Sequence, residues 1–236
     1  MKARRGEYGF DAPYVPAFML LGSGPLWFGA VNALLRGDLI GLSMMGASAA
    51  FLVFCAGTFI FTTRRGKFLV WDELLALRGD EQVLDVGCGR GAVLLLAAQR
   101  LTTGKATGID LWQAKDQSGN ALEATQRNAA AEGVNVELHT CDMRKLPFAD
   151  ASFEVIVSSL AIHNVPDAAG REQSVKEIAR VLKPGGRVLI ADFKFTRDYA
   201  KTLRDAGLSE VQTRGLGVRF WYGGPWAATT LVTARR

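Results

Sequence analysis

The sequence predicts an α/β fold, a doubly wound and mostly parallel sheet, preceded by a helical hairpin that crosses a membrane. Three observations carry this reading. Two uncharged apolar runs fill most of the first third of the 236-residue chain. From Glu81 onward strand-like and helix-like segments alternate, the pattern of a parallel sheet covered by helices on both faces. A glycine-rich turn, Gly87-Cys88-Gly89-Arg90-Gly91, joins the first strand to the helix that follows it.

Residues 16–35 (PAFMLLGSGPLWFGAVNALL) and 39–63 (LIGLSMMGASAAFLVFCAGTFIFTT) contain no charged side chain. As helices rising about 1.5 Å per residue, each is long enough to cross a hydrocarbon core of ~30 Å. Only Arg36, Gly37 and Asp38 separate them, which forces an antiparallel hairpin. The expected organisation is an anchor over residues 1–66, with transmembrane helices at about 16–36 and 39–63, and a second domain over 67–236. Pro25 is expected to kink the first helix, with the freed carbonyl covered by its neighbour. Small residues four apart (Gly29 and Ala33, Ser43 and Ala47, Gly46 and Ala50) are expected to let the two backbones approach.

Charge sets the orientation. Lys2, Arg4 and Arg5 flank the entry, and Arg64, Arg65 and Lys67 flank the exit. The positive-inside rule then puts both ends, and with them the large domain, in the cytoplasm of a bacterial-type inner membrane. Two other readings of the runs exist. The first could be a cleaved signal with Val31-Asn32-Ala33 as the cleavage sequence, or both could be core helices of a soluble protein; length and the immediate second run favour the hairpin. The formal charge of +5 reflects cationic membrane flanks and a basic tail rather than a basic helix with interleaved aromatics, so no nucleic-acid partner is expected. The 3 cysteines include no CxxC pair, and the 2 histidines belong to no cluster with metal-ligand spacing; a reducing compartment and no metal follow.

Residues 67–78 predict an amphipathic helix leading from membrane to domain, with Phe68 and Trp71 either at the headgroups or against the sheet. Strands are then predicted at 82–86, 105–109, 135–140, 154–158, 187–192, 209–214 and 228–234. Helices are predicted from the glycine turn to about 101 and over 119–132, 170–182 and 197–206. The glycine turn permits a ligand to approach the backbone beside a helix N-terminus. By itself it also satisfies the GxGxx[GA] form of dinucleotide-binding proteins. Asp85, at the carboxyl end of a buried strand, decides between them: it suits a ligand carrying an ammonium group and would repel a pyrophosphate. Asp110 ends the second strand at about the ~20-residue offset of an acid that binds ribose hydroxyls. Leu111 and Trp112, next along, are placed to pack on an adenine.

With VLDVGCGRG, the spaced acids and the turn LKPGG, residues 68–236 resemble the class I S-adenosylmethionine-dependent methyltransferases, in their ubiquinone/menaquinone methyltransferase-like branch. The resemblance implies a Rossmann-like seven-stranded sheet closed by an antiparallel hairpin. It implies S-adenosylmethionine as cofactor, with Gly87, Gly89 and Gly91 around its methionine portion, Cys88 fitting the loop, Asp85 at the ammonium and Asp110 on the ribose. Asp142 takes the adenine amino group, and Leu111, Met143 and Ser158 complete the cofactor-binding set. Residues Ser159–Asn164 fall on the loop where donor and acceptor meet. There His163 is the candidate general base for a hydroxyl or thiol acceptor, or else a residue that shapes the loop.

The expected activity is methyl transfer to a small lipophilic acceptor, with the anchor keeping the site beside membrane lipid. The alternatives are a membrane-anchored S-adenosylmethionine-binding protein without catalysis, and a nicotinamide-dependent oxidoreductase, which Asp85 and Asp142 disfavour. Methylation of adenine in nucleic acid is disfavoured because Ser158-Ser159-Leu160-Ala161 stands where that group carries [DN]PP[YF]. The tail segment with Phe220, Trp221, Tyr222 and Trp226 reads as an acceptor wall, a membrane contact, or the cover of a sheet edge.

Overall fold

The structure, a computed structural model, describes residues 4–113 and 117–236; the cationic flank expected at Lys2 lies outside the described residues. Helix α1 spans Tyr14–Leu35 and α2 spans Leu39–Phe61, antiparallel across the turn Arg36-Gly37-Asp38. Both are long and apolar enough to cross a membrane by length and composition. Asp38 is the N-cap of α2, its carboxylate accepting from the Gly41 N–H at 2.9 Å, which explains an acid beside such an apolar run.

The seam between α1 and α2 uses small residues, but not all those expected. Gly29 and Ala33 lie in it, Gly29 against the Met45 thioether. On α2 the buried positions are Ala49, Cys55, Ala56 and Phe59, whereas Ser43, Ala47 and Ala50 are exposed and Gly46 has nothing close. The helical phase of α2 is thus set by the 49/56 stripe, seven residues apart, which matches the period of a left-handed helix pair. Pro25 sits within an uninterrupted α1 on its exposed side, so α2 does not cover it.

Beyond Phe61 the helix does not stop. A π-helical turn, Thr62–Gly66, leads directly into α3, Lys67–Leu74, giving one rod of 36 residues from the hairpin into the domain. The helix ends at Leu74, four residues short of expectation. The Glu81 carboxylate takes the backbone N–H groups of Arg78 and Gly79, both at 2.9 Å, and so fixes a loop there.

The domain then runs β1 (Gln82–Val86), α4 (Ala92–Ala98), β2 (Lys105–Asp110), α5 (Leu122–Glu132), β3 (Glu137–Thr140), β4 (Phe153–Ser159), α6 (Ala168–Val181), β5 (Leu182–Asp192), α7 (Thr196–Asp205), β6 (Ser209–Gly215) and β7 (Thr230–Arg235). The seven strands form one sheet in the order β3-β2-β1-β4-β5-β7-β6. Strands β1 to β5 are parallel, and β7 inserts antiparallel between β5 and β6. The Lys183-Pro184-Gly185-Gly186 turn is an excursion inside β5: Leu182 pairs with Phe153, and pairing resumes at Arg187 with Val155.

Alternation along the strands divides the core in two. Leu84, Val86, Ile156, Val188 and Ile190 face α6 and α7. Val83, Val155, Val157 and Leu189 face Phe68 and Trp71 of α3 and Val93 of α4. Trp71 and Phe68 therefore pack on the sheet. Trp71 is fully buried, and its indole N–H donates to Ser159 Oγ at 3.0 Å. The helix leaving the hairpin is one of the helices that cover the sheet.

Candidate active site

The strand order reverses between β1 and β4, and a crevice opens at the carboxyl ends there, where open α/β sheets bind ligands. The cavity has a volume of about 920 Å³, ample for a nucleoside-sized donor and an acceptor together. Most of the expected residues meet in it: Asp85, Gly87, Cys88, Gly89, Asp110, Leu111, Asp142, Met143 and His163 all line the walls.

The glycine loop follows β1. At Gly87 (φ +76°) a Cβ would stand 2.2 Å from that of Ala161, so only glycine lets β1 and the loop after β4 close on one ligand. The Gly87 and Cys88 N–H groups both donate to the Ile109 carbonyl, and the Gly89 N–H donates to Asp110 Oδ2 at 2.9 Å. Asp110 Oδ1 accepts from the Trp112 N–H at 2.6 Å. Two N–H groups thus hold this carboxylate rigidly at the crevice edge. Cys88 is buried and its thiol is pushed well up by burial, with Asp85 and Asp110 adding to the effect; it is no nucleophile.

Asp85 is 1 % exposed, and its Oδ1 has no hydrogen-bond partner. Burial pushes its carboxyl up to about 8, against a backbone N–H at Leu94 and with help from Asp110. A buried carboxylate oxygen left without a donor is what a cationic ammonium group would satisfy.

Asp142 lines the crevice with its carboxylate engaged by its own loop. Arg144 grips it through Nε at 3.0 Å and its terminal nitrogen at 2.5 Å, and the Arg144 N–H adds a third donor. The Arg144 hydrogen bonds hold its pKa below the usual carboxylate range.

Three expected residues, Ser158, Gly91 and Trp112, stand behind the crevice. Ser158, 1 % exposed, donates to the Val86 carbonyl at 2.8 Å, and the pleat turns its neighbour Ser159 into the cavity instead. Gly91 caps α4 in a left-handed conformation, tight against Leu95 and Thr125. Trp112 packs behind as well, its indole N–H on Thr140 Oγ1 at 2.7 Å, while Leu111 faces the cavity.

His163 sits in a short 3-10 turn, Ile162–Asn164, after β4. Its Nδ1 lies 2.8 Å from Oδ1 of the buried Asp192, at ion-pair distance though without the alignment of an N–H hydrogen bond. Asp192 Oδ2 also accepts from the His163 backbone N–H at 3.2 Å and from the Tyr199 hydroxyl at 3.4 Å. A carboxylate on one ring nitrogen orients the ring and leaves Nε2 for a substrate proton.

A second polar cluster escaped the sequence reading because its members are scattered. Asp11, from the segment before α1, accepts from Lys67 Nζ at 2.7 Å, the Tyr222 hydroxyl at 2.8 Å and Gln117 Nε2 at 3.0 Å. Gln117 in turn accepts from the Arg90 N–H of the glycine loop at 3.0 Å. Tyr14, Val15, Phe59 and Ala227 continue this wall with apolar surface. The one available signal was charge: Lys67 is a cation at the head of the apolar first turns of α3.

Sheet order, glycine loop and paired acids together resemble those of the class I S-adenosylmethionine-dependent methyltransferases. Residues 83–186 match the family model described as a methyltransferase domain. The chain is 39% identical over 121 residues to the ubiquinone/menaquinone biosynthesis C-methyltransferase UbiE of Geotalea daltonii, covering 49% of this chain and 47% of that protein. It is 34% identical over 145 residues to the chloroplastic 2-phytyl-1,4-beta-naphthoquinone methyltransferase of Arabidopsis thaliana, covering 58% and 52%. The chain thus spans about half the length of these curated relatives. Among solved structures, the geranyl diphosphate C-methyltransferase of Streptomyces coelicolor superposes with a TM-score of 0.56 at 17% identity, over 74% of this chain and 79% of that one. The [4+2]-cyclase SpnF superposes with a TM-score of 0.57 at 21% identity, over 72% and 80%. A cyclase among the neighbours shows that this fold alone does not fix a reaction.

Proposed function

We propose that this chain is an integral membrane methyltransferase, its two-helix hairpin (within residues 1–66) holding a cytoplasmic domain (67–236) against the bilayer. It transfers a methyl group from S-adenosylmethionine to a small lipophilic acceptor. One observation carries the reading: a single crevice joins Asp85, Gly87, Gly89 and Asp110 to an apolar wall of Tyr14, Val15, Phe59 and Ala227, built partly from the hairpin itself. The donor-side residues suit a zwitterionic nucleoside, and the other wall suits a molecule drawn from lipid. Curated relatives named for quinone substrates support a lipophilic acceptor.

In this reading Asp85 takes the ammonium group, and Asp110 takes the ribose hydroxyls. Leu111 and Met143 flank the adenine, with Asp142 at its edge, and the glycine loop admits the methionine portion. When bound, the donor supplies an electrophilic methyl on a sulfonium, which reacts by in-line displacement; positioning accounts for much of the acceleration. His163, oriented by Asp192, removes a proton from the acceptor, a role worth about 10²–10⁴-fold where the acceptor is not already ionised.

The test uses full-length protein in lipid vesicles with methyl-labelled S-adenosylmethionine and a total membrane-lipid extract. Label should enter the organic phase with the wild type and not with Asp110→Ala. Protein that binds the donor yet labels no extract would leave only the binding reading.

A further inference from the structure

The loop between β6 and β7, residues 217–229, leaves the sheet and climbs one face of α2. The Thr62 hydroxyl donates to the Trp221 carbonyl at 2.7 Å. The Tyr222 ring meets Phe59 edge-on, centroids 5.1 Å apart. Gly223 passes Met19 and Cys55, where a Cβ would stand 3.0 Å from the Met19 methyl. Trp226 packs on Phe51, ring centroids 5.3 Å apart. Positions 62, 59, 55 and 51 are successive turns of a single helix face. The climb from Thr62 to Phe51 is therefore about 16 Å at 1.5 Å per residue.

That climb conflicts with a loop in water. If the bilayer began beyond Phe51, only Leu39–Phe51 of α2 would remain, about 18 Å against a hydrocarbon core of ~30 Å. A crossing hairpin must take the loop in with it. The loop is made for that. From Phe220 to Ala234 the chain has no charged side chain. Trp226 is 60 % exposed at the tip. Part of the backbone is paired within the loop, the N–H groups of Tyr222, Ala227, Ala228 and Thr229 donating to the carbonyls of Ala227, Gly224, Pro225 and Phe220, and Tyr222, Gly223 and Gly224 are buried. Irregular backbone survives at membrane depth only when so paired or buried. The charges lie at the foot of the climb, where Arg219 pairs with Glu73 at 2.6 Å, level with Arg64 and Arg65.

We propose that residues 217–229 form a lipid-immersed wedge, seated against α2 within one leaflet with Trp226 in contact with acyl chains. Because Tyr222 and Ala227 of this loop line the crevice beside Phe59 and Tyr14, the wedge carries the acceptor side of the crevice to the bilayer. The inference rests on the membrane-anchored reading.

The test reads tryptophan emission from full-length protein in phosphatidylcholine vesicles, with and without brominated acyl chains, for wild type, Trp27→Phe and Trp226→Phe. Trp27 projects from α1 well away from the domain and is 47 % exposed, so it reports the anchor. The expected result is that each substitution removes part of the bromine-quenched emission. If Trp27→Phe removes quenched emission and Trp226→Phe does not, the wedge is overturned and the anchor stands. If neither does, the membrane reading fails and the wedge fails with it.

Discussion

Asp85 is the residue on which the chemistry of the donor side turns. Without donor, the folded protein holds a proton on this carboxyl up to about pH 8, whereas the unfolded chain releases it near ~3.9. Its contribution to stability is complete below about pH 4 and is lost as the pH rises through about 8. Denaturation across that range should show declining stability in the wild type and a flatter profile in Asp85→Asn. An ammonium ligand wants the opposite charge state, so donor binding should release a proton below pH 8. Affinity should then strengthen with pH by up to about tenfold per unit, and calorimetry in buffers of different ionisation enthalpy should see the proton. For His163, the partner carboxylate of Asp192 makes a second expectation. His163→Gln should lower turnover by about 10²-fold or more with donor affinity unchanged, and a donor-binding defect instead would assign it to shaping the loop. At this scale the meeting of Asp85, Gly87, Gly89 and Asp110 in one crevice was legible, because strand ends and the glycine turn place them at the same edge of the sheet. Asp11 and Gln117 were not, since nothing local marks residues brought together only by tertiary packing.

At the scale of elements the period of apolar residues gave the strands to within a few residues, because each sheet face must be buried on alternate positions. The helix after the hairpin was harder. Whether Trp71 meets headgroups or the sheet depends on where the rod from α2 points, and that is decided by the π turn and by Thr62 and Gly66 against the C-terminal loop. The seam of α1 with α2 was half legible for a similar reason: many small residues offer competing phases, and packing selects the stripe with Ala49 and Ala56. Two stability predictions belong here. Trp71→Ala should destabilise the domain by about 3–5 kcal/mol, from the cavity it leaves in the core, measurable by chemical denaturation in detergent. Asp11→Ala should cost about 3–5 kcal/mol by the same measurement, because it strands the buried ammonium of Lys67; Asp11→Ala together with Lys67→Met should recover a large part of that loss.

At the scale of the whole molecule, hairpin and sheet are built together. A rod shared by hairpin and sheet, a segment before α1 tied to α5 through Asn128 and Glu132, and a C-terminal loop lying on α2 together make the hairpin a structural part of the α/β domain. A chain beginning after the hairpin would lose Phe59, Thr62 and the Asp11 cluster, and should aggregate where the full chain in detergent does not. In the proposed reading the crevice at the reversal of the sheet takes a cationic nucleoside donor through Asp85 and Asp110. The most direct test is calorimetric titration of S-adenosylmethionine into the full-length protein in detergent, beside Asp110→Ala. One site is expected in the wild type, with binding weakened at least tenfold in the variant. A folded wild type that binds no S-adenosylmethionine, or a variant that binds it equally well, would contradict that reading.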